Sequence, residues 1–270
     1  MDRRDFVRTG AAAALGGVPL AALATPGRAA VPRPTRDAIR VGVVGCGGRG
    51  TGAAVQALST VQDVRLVAMA DAFPDRVEES YRTLTSAERD DWLGGDIDLS
   101  PRIDVPPERR FSGFDAYRSV IPLVDIVILA TPPGFRPIHF AAAVDAGKHV
   151  FMEKPVATDA PGVRAVLAAA ERAKAKRLNV VVGLQRHYQT MYREWVDRIR
   201  AGMIGDVLLG RVYWNSEGVW VRPREPGQTE MEYQMRNWYY FNWLCGDHIV
   251  EQHIHNMDVA NWVFGGHPVR

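Results

Sequence analysis

Three groups of residues in this chain have the types and spacing to do chemistry. The first is Gly45-Cys46-Gly47-Gly48-Arg49-Gly50, which follows an apolar run and opens a helical pattern. Gly45 permits a tight turn, Gly47 lets an anion approach the main chain, and Gly50 allows a helix to touch a strand. The helix start supplies free N–H groups and partial positive charge, so the loop suits a pyrophosphate. Asp71 ends the next apolar run, 21 residues after Gly50. At that place a carboxylate accepts hydrogen bonds from adenosine ribose hydroxyls and repels a 2′-phosphate, which favours NAD over NADP.

The second group stands at the ends of two further runs, Ala130-Thr131-Pro132-Pro133 and Met152-Glu153-Lys154-Pro155. Open α/β sheets bind ligands at the carboxyl ends of their strands. A partly desolvated lysine there can handle a hydroxyl or carbonyl proton. By residue type alone, Lys154 is better read as a surface lysine at a strand end. The third group is Glu251, His255 and Asp258, spaced for one face of a helix. A carboxylate one turn from a histidine can orient the ring and a hydroxyl while the imidazole takes the proton. The same spacing suits a polar helix with a satisfied core histidine. With His248 and His253 the segment invites a metal reading, but no HExxH is present and His253 points off the face, so no metal is expected. Trp220, Trp238, Tyr239, Tyr240 and Trp243 lie in or near a Pro- and Gly-rich loop. They suit either stacking on sugar rings or ordinary packing.

These groups need elements to position them. Residues 39–45, 64–71, 124–131, 149–153 and 179–184 read as strands, most of them buried on both faces. Helical patterns separate them at 48–59, 74–90, 114–119, 138–146 and from the Asp159 cap to 176. Alternation of this kind predicts an α/β fold: a Rossmann doubly wound parallel sheet over residues 38–184. Residues 91–112 show little periodicity and read as a surface loop. After 185 the pattern changes to a helix at 187–202, a long strand at 206–214, the aromatic loop, and a polar helix at about 247–263. Residues 185–270 therefore read as an incomplete α+β substrate domain.

The chain has 270 residues, 47% of them hydrophobic, enough for one large or two modest domains. Its net charge is +2, yet residues 1–40 hold seven Arg against three Asp, so the remainder is slightly acidic. No basic face argues for nucleic acid. Two cysteines, Cys46 and Cys245, give no disulfide framework and read as small buried thiols. Arg3-Arg4-Asp5-Phe6-Val7-Arg8, followed by an Ala- and Gly-rich stretch, resembles a twin-arginine signal over residues 1–30, with a linker at 31–37. Cleavage suits Ala24 or Ala30 equally. The expectation is a periplasmic or otherwise extracytoplasmic protein, delivered by the twin-arginine machinery.

Taken together, the glycine loop, Ala130-Thr131-Pro132 and Glu153-Lys154-Pro155 resemble the Gfo/Idh/MocA oxidoreductases. The resemblance implies that Lys154 is catalytic. Where that family carries D-x-G-x-H-x-x-D, this chain reads Glu251-Gln252-His253-Ile254-His255-Asn256-Met257-Asp258. Glutamate replaces the first aspartate, and His253 replaces glycine and is expected to crowd the site. The implied catalytic set is Lys154, His255 and Glu251. The implied cofactor set is Gly45, Gly47, Gly48, Arg49, Gly50, Asp71, Thr131, Pro132, Glu153 and Lys154. Arg186, Trp238, Tyr240 and Asp258 are the candidate substrate ligands. The family's second domain is a broad, largely antiparallel sheet that runs well past residue 270, so the chain reads as a fragment or incomplete gene product. A homo-oligomer through that sheet is a further expectation. Outside the cytoplasm free NAD is scarce, so the cofactor is expected to be held tightly and regenerated in place. That suits a sugar, polyol or cyclic-alcohol oxidoreductase, or an NAD-dependent, redox-neutral glycosidase. A non-catalytic sugar- or NAD-binding protein is the third reading.

Overall fold

The structure is a computed structural model that describes residues 38–86 and 97–267. The twin-arginine stretch and the 31–37 linker lie outside the described residues. Six parallel strands form one sheet: β1 (Ile39–Val44), β2 (Val64–Asp71), β3 (Arg110–Ser112), β4 (Ile126–Leu129), β5 (His149–Met152) and β6 (Val180–Val182). Their spatial order is β3-β2-β1-β4-β5-β6. The chain builds outward from β1 to β3, then returns to β4 on the other side. That reversal opens a crevice beyond the carboxyl ends of β1 and β4.

Helices cover both faces, which is why the central strands are apolar throughout. On one face α1 (Gly48–Leu58) and α2 (Pro74–Thr85) bury Ala54, Leu58, Val77 and Leu84 against Val41, Val43 and Met69. On the other, short α3 (Tyr117–Val120), α4 (Arg136–Asp145) and α5 (Ala160–Ala175) bury Val120, Phe140, Val144 and Ala169 against Val44, Val127 and Leu129. Asp159 caps α5 by accepting from Gly162 N, 2.7 Å away. The expected doubly wound α/β sheet is present, with boundaries within a few residues of those read from the pattern.

Two readings need correction. Of the loop expected at 91–112, residues 91–96 lie outside the described residues, as do 87–90 of the helix expected at 74–90; Arg110–Ser112 pair with Met69–Asp71 as edge strand β3. Such a three-residue strand is ordered by its neighbour and leaves no apolar run to read. The expected strand at 206–214 is not formed. A strand needs a ladder partner, and no such backbone is paired with this segment among the described residues. Leu208 and Leu209 stay 91% and 71% exposed. After β6 the described chain is helical or irregular, with α6 (Thr190–Arg200), α7 (Glu230–Arg236), α8 (Asn242–Cys245), a π-helical turn (Ile249–His253) and α9 (Ile254–Phe264). The sheet expected to carry self-association is therefore absent from the described residues.

The tightest point is the crossover from β1 to α1. A Cβ on Gly50 would stand 1.8 Å from the Gly45 carbonyl oxygen. Gly45 has φ +99°, and its own Cβ would lie 2.5 Å from the Ala130 carbonyl carbon. Gly50→Ala should therefore destabilise the chain by at least about 2 kcal/mol. Denaturant unfolding checks this, and an unchanged midpoint would show that the crossover relaxes freely.

Candidate functional site

A cavity of about 410 Å³ lies at this crossover, along the carboxyl ends of β1, β2, β4 and β5. That size is ordinary for a small-molecule site, which spans roughly 300–1,000 Å³. Gly47 caps α1 in extended backbone, and nothing stands within 4 Å of where its Cβ would be. The first N–H groups of α1 thus face open space at the positive end of the helix. At the tip of β2, the Asp71 carboxylate accepts from Cys46 N at 2.7 Å and from Phe73 N at 3.0 Å. Burial pushes its carboxyl up, while these two N–H bonds pull it back. The cradle fits a dinucleotide: the space at Gly47 is what a pyrophosphate needs, and Asp71 keeps lone pairs for ribose hydroxyls. Cys46 sits beneath the loop, buried, its thiol pushed up chiefly by burial.

A layer of charge, buried at Glu153 and Glu251 and exposed at Arg49, lies across the crevice. Arg49 Nε donates to Glu153 Oε1 at 2.8 Å, tying the glycine loop to the tip of β5. Glu153 is buried against Gly183, where a Cβ would meet its carboxylate at 2.8 Å. The next residue, Lys154, donates from Nζ to the Glu251 carbonyl at 2.5 Å and to Glu251 Oε2 at 3.0 Å. Glu251 is only 2% exposed and sits in the π-helical turn, an irregularity common at functional sites. Burial pushes its carboxyl up; Lys154 and then Arg136 oppose that. The Tyr239 hydroxyl faces the same carboxylate, and burial followed by the Glu251 charge pushes it up as well.

The sequence reading missed Arg136, which is 2% exposed and lines the cavity. Its guanidinium donates to the Thr131 and Pro155 carbonyls, binding the loops after β4 and β5 together. Desolvation pushes it down to about 10, against the pull of Glu251 and Glu153. One signal was present: Arg136 is a cation in the first turn of α4, where the helix dipole disfavours positive charge. His139, one turn on, shares a hydrogen bond with Thr131 Oγ1 at 3.1 Å and stacks near Tyr117 and Phe135. Burial and then Arg136 push it down to about 4.

Of the expected residues, Gly45, Gly47, Gly48, Arg49, Asp71, Thr131, Pro132, Glu153, Lys154, Glu251 and Trp238 line this one cavity. Gly50 packs beneath the loop. His255 is buried behind the wall, stacked on Trp214 at 5.7 Å, with Nδ1 lacking a hydrogen-bond partner. Desolvation, then Lys154 and Arg186, push it down to about 4. Three expected substrate ligands do not reach the cavity wall. Arg186 donates to Asn256 Oδ1 and lies over Trp214 and Tyr192. Tyr240 donates to the Val219 carbonyl at 2.7 Å. Asp258 meets His187 Nε2 at 2.7 Å, so the helical face shared by 251, 255 and 258 does not converge on one point. His253 does not crowd the cavity: it packs edge-on against His248, with ring centroids 4.8 Å apart.

Comparison with known proteins decides the family. Residues 39–182 match Gfo/Idh/MocA, described as an oxidoreductase family with an NAD-binding Rossmann fold. The chain belongs to that family. It is 28% identical to an inositol 2-dehydrogenase of Rhizobium meliloti (strain 1021), over 86% of this chain and 56% of that protein. It is 24% identical to a glycosyl hydrolase family 109 protein of Shewanella pealeana, over 82% of this chain and 47% of that one. In fold it resembles the scyllo-inositol dehydrogenase of Lactobacillus casei solved with NAD(H) and scyllo-inositol. The TM-score is 0.58 at 22% identity, covering 85% of this chain and 57% of that one. The chain thus spans about half the length of the curated relatives it matches.

Two predictions follow from this geometry. Gly47→Val should leave the unfolding midpoint almost unchanged, yet weaken NAD binding about tenfold or more, as measured by calorimetry; equal affinity would place the pyrophosphate elsewhere. His139 stays neutral in the folded chain down to about pH 4, whereas an unfolded histidine takes up its proton near 6.5. The unfolded state therefore binds more protons in that window, and stability falls as pH drops, by up to about 3 kcal/mol from this group. His255 acts in the same direction. His139→Gln should flatten the slope of unfolding free energy between pH 6.5 and 4.

Proposed function

We propose that the chain carries the NAD-binding and proton-handling part of an exported oxidoreductase. Its reaction moves a hydride between NAD and a hydroxyl-bearing carbon of a sugar, polyol or related cyclic alcohol. The observation that carries this reading is the Lys154–Glu251 pair, buried at the edge of the crevice that the glycine loop opens. Bound NAD supplies a hydride acceptor at nicotinamide C4. The N–H groups of Gly48 and Arg49 and the carboxylate of Asp71 hold and orient the dinucleotide. The Lys154 side chain is 15% exposed, and its Nζ is the group that meets a substrate oxygen. As the hydroxyl gives up its proton, Lys154 passes one of its own to Glu251 Oε2 across the 3.0 Å contact and accepts the hydroxyl proton in its place. The raised carboxyl of Glu251 favours that transfer. His255, which burial keeps neutral, does not line the cavity, and Trp238 offers that cavity an aromatic face.

The inositol dehydrogenase relatives support an alcohol substrate, and the Arg3-Arg4 stretch supports export of the folded, loaded protein. A second reading draws on the glycosyl hydrolase family 109 relatives: redox-neutral glycoside cleavage on the same crevice. In a non-catalytic sugar- or NAD-binding protein the Lys154–Glu251 pair would serve only to tie the β5 tip to the π-helical turn.

The full chain, purified and then denatured, should release pyridine nucleotide, or the native chain should take it up. With a panel of cyclic polyols and sugars, Lys154→Ala should lower NADH formation by about 10²–10⁴-fold while the nucleotide stays bound. Released aglycone without net NADH would select the hydrolase reading. A protein that neither contains nor binds pyridine nucleotide would sink both.

A further inference from the structure

The residues that match the family end at 182, yet part of the cavity wall comes from much later in the chain. Trp220, Arg222, Arg236 and Trp238 face the same space as Asp71 and Phe73. They belong to a segment that is already assembled by its own contacts. Asn237, 2% exposed, grips the main chain of Arg222 from both sides, accepting from its N–H at 2.8 Å and donating to its carbonyl at 3.0 Å. Tyr240 holds the Val219 carbonyl at 2.7 Å. Trp220 packs edge-on against Trp238 and Tyr239, with centroids 6.2 and 6.0 Å away. Thr229 and Glu232 close a capping box at the start of α7.

From the last turn of α7, Arg236 crosses to the first turn of α2. It donates to both oxygens of Asp75, at 2.9 and 3.0 Å, and its guanidinium covers the Phe73 ring at 4.1 Å. Asp75 stands four residues past Asp71, the group positioned for the adenosine ribose. A planar, two-pronged pair of this kind fixes orientation as well as distance. It spans 161 residues of sequence and lies at the adenosine side of the cavity.

We propose that residues 219–239 form the outer wall of the dinucleotide site, and that Arg236–Asp75 latches this wall over the adenosine half to slow nucleotide release. The inference rests on the cofactor reading above and adds a retention device to it. Opening the latch uncovers Phe73, two residues past Asp71, because the Arg236 guanidinium lies over its ring. An ordinary ion pair between elements would change unfolding but leave release untouched.

The test loads the full chain with NADH, chases with excess NAD, and follows the loss of bound NADH fluorescence. Arg236→Ala and Asp75→Ala should each speed release by about tenfold or more. The exchanged pair, Asp75→Arg with Arg236→Asp, should return release to within about threefold of the parent. Near-ultraviolet circular dichroism checks folding, and the half-exposed Asp75 gives a variant independent of α7. Release at the parent rate in both single variants overturns the latch. Faster release that the exchange does not restore assigns the effect to lost packing and overturns it too. A parent chain that takes up no NADH defeats the cofactor reading first, and the latch with it.

Discussion

The structure depends on one close contact: the α-carbon of Gly50 against the carbonyl of Gly45. No side chain fits between them, so α1 starts immediately beside the tip of β1 and in line with β4. The sheet reverses its order at that same place. The reversal opens the crevice, and this close contact sets where the start of α1 meets it.

Around that crevice the chain spends charge rather than apolar surface. Arg49, Glu153, Arg136, Lys154 and Glu251 come from four separate segments, and most are buried. Burying such groups costs several kcal/mol each unless they are paired, and removing one partner leaves the other stranded. The arrangement is therefore all-or-nothing, which makes it a good holder of geometry. Arg136 is the centre of it, since it binds two loop carbonyls while its charge lies between two carboxylates.

How much was legible follows from where each signal resides. Strand β2 reads correctly to the residue because Leu66–Ala70 is a continuous apolar run closed by Asp71, and the glycine loop reads because its constraints are local. Strand β3 could not be read: Arg110-Phe111-Ser112 has no periodicity and exists through pairing with β2. At 206–214 the composition suits a strand, but composition does not supply a ladder. Lys154 was singled out by family resemblance and Glu251 by that resemblance and helical spacing, but their contact was not read, because the two lie 97 residues apart. Arg136 and Arg236 were hidden because their roles are set by partners far away in sequence. Asp258 and Tyr240 were misplaced for the converse reason, since each is satisfied by a neighbour that no pattern announces.

The buried thiol of Cys46 carries a last consequence. It lies under the nucleotide loop and touches the Ala70 carbonyl at 3.3 Å, with no path for a reagent while α1 stays seated. Alkylation by a small iodoacetamide must then wait for the crossover to lift. Its rate, compared with that of equally buried Cys245, becomes a clock for how often the nucleotide end of the sheet breathes.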